Sequence, residues 1–153
     1  MKFMLKTVVL SLALIAHAHA ADIAVADAWV RATVPQQRAT GAFMTITSAN
    51  DAKLVGAESS VAKIVELHEM TMDNNVMKMR AIDAIELPAG TDVRLESGGL
   101  HVMLIDLVEQ MKEGASVPLT LVVENADGTQ QRVEVSAPVM PLAHRPGGQR
   151  HGH

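Results

Sequence analysis

The chain has 153 residues, room for one domain of ordinary size, and 48% of them are apolar, so a core can be buried. A formal charge of −4 gives no basic footprint for a nucleic-acid backbone. The sequence contains no cysteine, which excludes disulfides and thiol redox chemistry.

Residues 1–20 read as a signal peptide. Lys2 and Lys6 form a charged start, Val8 to Ala16 is an apolar run too short to span a bilayer comfortably, and Ala18-His19-Ala20 offers a small-x-small cleavage pattern. Cleavage is expected after Ala20, into the periplasm. No cysteine follows the apolar run, so lipid attachment at that point is not expected. Losing Lys2 and Lys6 makes the remainder two charges more acidic. No later run reaches membrane length, so no membrane span is expected in the mature chain.

From Ile23 onward the pattern is β. Strands are predicted at Ile23–Arg31, Gly41–Thr47, Lys53–Ala57, Lys63–Met72, Val76–Ile82, Asp92–Glu96, His101–Leu107, Val117–Glu124 and Gln130–Val139. Turn residues separate them at Ala49-Asn50-Asp51, Asp73-Asn74-Asn75, Pro88-Ala89-Gly90, Ser97-Gly98-Gly99 and Asp127-Gly128. Asp106 to Glu113 reads as a turn or a single helical turn. Short strands at this spacing predict an all-β, single-domain sandwich over residues 21–139. With Phe3, Trp29 and Phe43 as the sole aromatics, its core must be aliphatic. Pro141, Pro146, Gly147 and Gly148 then break the pattern, so 140–153 reads as a flexible, His-containing tail.

Methionine is heavily used: ten in all, eight of them after residue 20. His101-Val102-Met103 lies on a predicted strand, where positions i and i+2 point to one face. On Val76–Ile82, Met77 and Met79 share the face opposite Lys78 and Arg80. A hairpin through Asp73–Asn75 brings His68 near Met77 or Met79. Two imidazoles and at least two thioethers thus gather without a thiolate, a neutral and soft donor set that suits Cu(I) better than zinc. A blue-copper electron carrier would need a cysteine sulfur. Structural roles are expected elsewhere: Met44, Met77 and Met111 in the core, Trp29 as a packing anchor, Arg31 and Pro35 in a turn, and Glu66 and Glu69 solvated. Met70 and Met72 share strand parity with His68 and are either auxiliary ligands or exposed side chains.

The spacing His, ten residues, Met, twenty-one residues, His-x-Met falls on His68, Met79, His101 and Met103. It resembles the signature of the periplasmic copper chaperones called PCuAC. Similar text surrounds it at Asp27–Ala32, Gly41–Met44, Val65–Glu69, Val76–Arg80, Leu87–Gly90, Gly98–Leu104 and Lys112–Gly114. The resemblance implies a cupredoxin-like or immunoglobulin-like β-sandwich that binds Cu(I) through those four side chains; the residues suggest no general base, nucleophile or oxyanion hole, so an enzyme is not expected. The resemblance implies delivery toward the binuclear copper site of cytochrome c oxidase, with its subunit II or a Sco-type thiol protein as partner. It also implies auxiliary metal binding, including Cu(II), by a tail holding Met140, His144, His151 and His153. The alternatives are a periplasmic copper store that uses core site and tail together, and an interaction module whose His and Met are structural.

Overall fold

Ala42, Met44 and Ile46 alternate with Thr45 and Thr47 along one strand, and that period of two divides the molecule into a buried face and an outer one. The computed structural model describes residues 22–147. Ten strands run through them: β1 (Ile23–Arg31), β2 (Ala39–Ser48), β3 (Ala52–Glu58), β4 (Ala62–Asp73), β5 (Val76–Ile82), β6 (Ile85–Leu87), β7 (Asp92–Leu95), β8 (His101–Leu107), β9 (Ser116–Asn125) and β10 (Gln130–Met140). The all-β, single-domain expectation holds. Among the described residues no helix is long and apolar enough to cross a membrane.

One layer has the order β5-β4-β8-β2-β1 and the other β10-β9-β3-β6. They are joined where β10 pairs in parallel with β1, Val30 opposite Val139 and Arg31 opposite Met140. β2 takes β8 along Ala39–Ala42 and β7 along Met44–Thr47, so β7 and β8 follow one another down the same edge. Between the layers lie Val30, Ala42, Ile46, Leu54, Val102, Leu104, Leu119 and Leu121, each fully buried. Each such leucine or isoleucine contributes roughly 1.5–3 kcal/mol by leaving water.

A bulge in β1 decides where the aromatics go. The pairing with β2 slips between Ala26 and Trp29, with Asp27 at a φ of 55°. An extra residue reverses the parity of the strand beyond it. Ile23 before it and Val30 after it both enter the core, and Trp29 turns to the outer face. There Trp29 and Phe43 are buried against each other, outside the main core, with ring centroids 4.6 Å apart.

Two local expectations change. β6 was not apparent from the sequence, because a three-residue strand is too short to display a period, although Ile85 and Leu87 are both buried against β3. Of the two alternatives for Asp106–Glu113 the helical turn does not form: Asp106 and Leu107 end β8, bends follow at Val108 and Glu109, and a turn begins at Glu113. Asp106 takes a φ of 57°, which an α-helix does not accept, and its carboxylate is held between Arg38 and Lys63.

Candidate metal centre

The β4–β5 turn sets the geometry of the site. Asn74 and Asn75 have φ of 49° and 63°, the signature of a two-residue type I′ hairpin loop, which asparagine tolerates well. That loop places Asp73 opposite Val76, and hence Met72 opposite Met77, Met70 opposite Met79 and His68 opposite Ala81. On its other side β4 pairs with β8, His68 opposite His101 and Glu66 opposite Met103. β8 in turn sets Met103 opposite Gly41 of β2. Leu67, Val102 and Ala42 point into the core, so their neighbours His68, His101, Met103 and Gly41 share the outer face. The centre is built on the outside of the sandwich.

Three strands therefore converge four of the expected side chains. His101 Nε2 lies 3.2 Å from Met79 Sδ, and the His68 and His101 ring centroids are 5.8 Å apart. A cavity of about 210 Å³ is lined by Met70, Met79, His101 and Met103, with Phe43, Gly41 and the Ser97-Gly98 loop closing it. Both histidines are buried, whereas Met79 is 48% exposed and stands at the solvent side. A larger cleft of about 670 Å³ between Arg31, Glu96 and Leu142–Pro146 offers no comparable pair of imidazole and thioether donors.

Each imidazole has one nitrogen occupied and one available. His101 Nδ1 donates to the Gly99 carbonyl at 3.0 Å, which leaves Nε2 with its lone pair toward Met79. The Gly99 carbonyl is held by the loop: Gly99 N donates to Glu96 O at 3.0 Å, Glu96 N to Leu100 O at 2.8 Å, and Met70 N to Gly99 O at 3.3 Å. Burial holds the His101 imidazole below its usual pKa; the Gly99 acceptor opposes that, and neighbouring His68 adds to it. The ring is neutral at pH 7, the state in which imidazole binds a metal. His68 Nε2 meets Glu66 Oε2 at 2.7 Å, and its Nδ1 is buried with no hydrogen-bond partner. It is the one such side-chain atom among the described residues. An orphaned buried polar atom costs about 1–3 kcal/mol, and a bound cation would remove that cost.

Phe43 forms the wall beside His101, with centroids 6.1 Å apart. It can do so because position 41 is glycine: a Cβ there would sit 2.6 Å from Phe43 Cζ. Arg31 lies over the Trp29 and Phe43 rings at 5.1 and 5.5 Å, and its Nη1 donates to Leu142 O at 2.8 Å. His144 meets Trp29 edge-on at 4.7 Å, and Met140 ends β10; neither lines the cavity. His151 and His153 lie outside the described residues.

Three side-chain expectations are corrected. Met77 is 45% exposed, because β5 is an edge strand whose methionine face lies outside the sandwich. Glu66 orients His68 instead of standing free in water, as its i, i+2 relation to His68 on β4 allows. Arg31 is no turn residue; it closes β1 and covers two rings. Met44 and Met111 are buried as expected.

The chain shares its fold with copper-binding domains. A copper-bound PCuAC domain from PmoF2 superposes with a TM-score of 0.63 at 25% identity, over 78% of this chain and 93% of that domain. The Cu(I) form of DR1885 from Deinococcus radiodurans gives 0.58 at 33% identity, over 81% and 82%. Apo-DR1885 gives 0.56 at 30%, over 91% and 95%. By sequence, "Putative lipoprotein Lxx21020" of Leifsonia xyli subsp. xyli is 32% identical over 114 residues, which is 74% of this chain and 68% of that protein. Residues 23–139 match the family described as "Putative lipoprotein LpqE-like". The fold is of the PCuAC type, and the chain belongs to the LpqE-like family.

Proposed function

We propose that this protein is an exported carrier of Cu(I), which it holds through His68, Met79, His101 and Met103 and surrenders to a thiolate-bearing acceptor. The observation that carries this reading is the pair of preset imidazoles. His101 Nε2 faces the Met79 thioether in the cavity that Met103 also lines, and His68, its ring 5.8 Å from that of His101, keeps a buried Nδ1 with no hydrogen-bond partner. Among the described residues no three His, Asp or Glu side chains gather as a harder metal would require. Thioether with imidazole favours Cu(I). The neighbours whose structures contain copper, in one case Cu(I), support the same assignment.

In such a carrier the cargo ion supplies only its affinity for soft donors. Gly99 and Glu66 hold the two rings in the ligating tautomer, Phe43 walls one side, and exposed Met79 is the donor an acceptor reaches first. Transfer then proceeds by stepwise ligand exchange, with no catalysed covalent step. The acceptor fitting this chemistry is a dithiol or Cu-binding domain such as a Sco-type protein or cytochrome c oxidase subunit II.

The test is an anaerobic Cu(I) competition titration against a chromophoric chelator, beside a Met79→Ala, His101→Ala double variant. One tight equivalent in the parent, lost in the variant, is expected. Equal binding by both proteins would overturn the assignment.

A further inference from the structure

The β4–β5 hairpin carries more sulfur than the centre uses. Its register stacks two methionine pairs on the outer face: Met70 opposite Met79 at the cavity, and Met72 opposite Met77 one rung nearer the turn. Directly opposed side chains have Cβ atoms about 4.5–5.5 Å apart, and successive same-face rungs lie about 7 Å apart. The other face holds the ion pairs of this end of the hairpin, Arg80 with Glu69 and Lys78 with Asp73, together with Thr71. Met72 and Met77 are 63% and 45% exposed, so neither serves the core. Beyond His68 the hairpin has left β8 behind, so this sulfur-bearing end projects from the sandwich.

Resting on the Cu(I) reading above, we propose that Met72 and Met77 form a second, weaker soft-metal site at the hairpin tip, from which Cu(I) passes to the Met70/Met79 rung and the buried histidines. Two neutral thioethers without an imidazole bind less tightly than the inner set, so the affinity rises inward. Passage is sulfur-to-sulfur exchange: the bond from Cu(I) to a Met72 or Met77 sulfur breaks as one to Met79 forms. No electron or proton is transferred.

The experiment is an anaerobic Cu(I) titration of the protein carrying ¹³C-labelled methionine methyls, followed by NMR. The first equivalent is expected to move Met79 and Met103; further Cu(I) is expected to move Met72 and Met77 in fast exchange. In His101→Ala the tight inner response is lost and the tip response remains. In a Met72→Leu, Met77→Leu double variant, which keeps the apolar surface and removes the sulfur, the second binding event is lost and the first is retained. Unmoved Met72 and Met77 methyls, or a second event surviving in the double variant, would overturn the proposal. Silent Met79 and Met103 with responding Met72 and Met77 would overturn the inner centre and uphold the tip site.

Discussion

His68 and His101 stand directly opposite each other across β4 and β8, and each commits one ring nitrogen to an oxygen acceptor while leaving the other free. The acceptors differ in kind. Gly99 offers a backbone carbonyl that no side-chain substitution removes, whereas Glu66 offers a carboxylate that a single mutation deletes.

Glu66→Ala therefore tests the orienting role. Such partners of a metal-binding histidine are worth about 10–100-fold in metal affinity. Cu(I) affinity by competition titration is expected to fall within that range, while circular dichroism stays unchanged because Glu66 lies outside the core. Glu66→Gln, which keeps an oxygen acceptor, is expected to lose less. Wild-type affinity in Glu66→Ala would remove Glu66 from the centre.

Gly41→Ala probes the wall. The added Cβ meets Phe43 Cζ at 2.6 Å, so the ring must move, and it is packed between Trp29 and His101. Overpacking of this kind costs about 1–3 kcal/mol. Trp29 is the one tryptophan in the chain, so its fluorescence reports the shift directly. Urea unfolding followed at Trp29 is expected to show a lower midpoint together with a changed native spectrum. An unchanged spectrum would mean that Phe43 has room the contact geometry denies it.

Much of this arrangement was legible because two simple periodicities cooperate. The i, i+2 rule placed His101 with Met103, and Asp73-Asn74-Asn75 marked the turn that brings β5 beside His68. Choosing Met79 over Met77 required the resemblance, since both share one face of β5; the turn's register puts Met79 beside the cavity and Met77 a rung away. Burial was harder to read. Apolar alternation on β5 looks the same whether the face meets a second layer or water, which is why Met77 was expected inside. The contribution of Gly41 rests on the path of the Phe43 ring, which no residue pattern encodes. Trp29 faces outward because of a bulge at Asp27, a residue whose left-handed φ the sequence does not announce.

Leu104→Ala separates fold from site. Leu104 is fully buried between the layers, one position after Met103 and on the opposite face. The cavity is expected to cost about 2–5 kcal/mol of stability. Cu(I) affinity of the folded protein should not change, so the rise in melting temperature on adding Cu(I) should persist from the lower starting point. A loss of affinity matching the loss of stability would show that the outer face depends on the core behind it.

Exchanging Lys78 and Met79 tests whether face, rather than composition, makes the centre. Lys78→Met, Met79→Lys leaves the amino-acid content unchanged but moves the thioether to the side of β5 that carries the ion pairs. Breaking the exposed Lys78–Asp73 pair costs about 0–1 kcal/mol, so the hairpin should persist. The lysine now points toward His101 and brings a positive charge where a cation is to be held. Tight Cu(I) binding in the competition titration is expected to disappear, with stability near that of the parent. Retained binding would mean that Met79 is not a ligand and that its 3.2 Å approach to His101 Nε2 is packing alone.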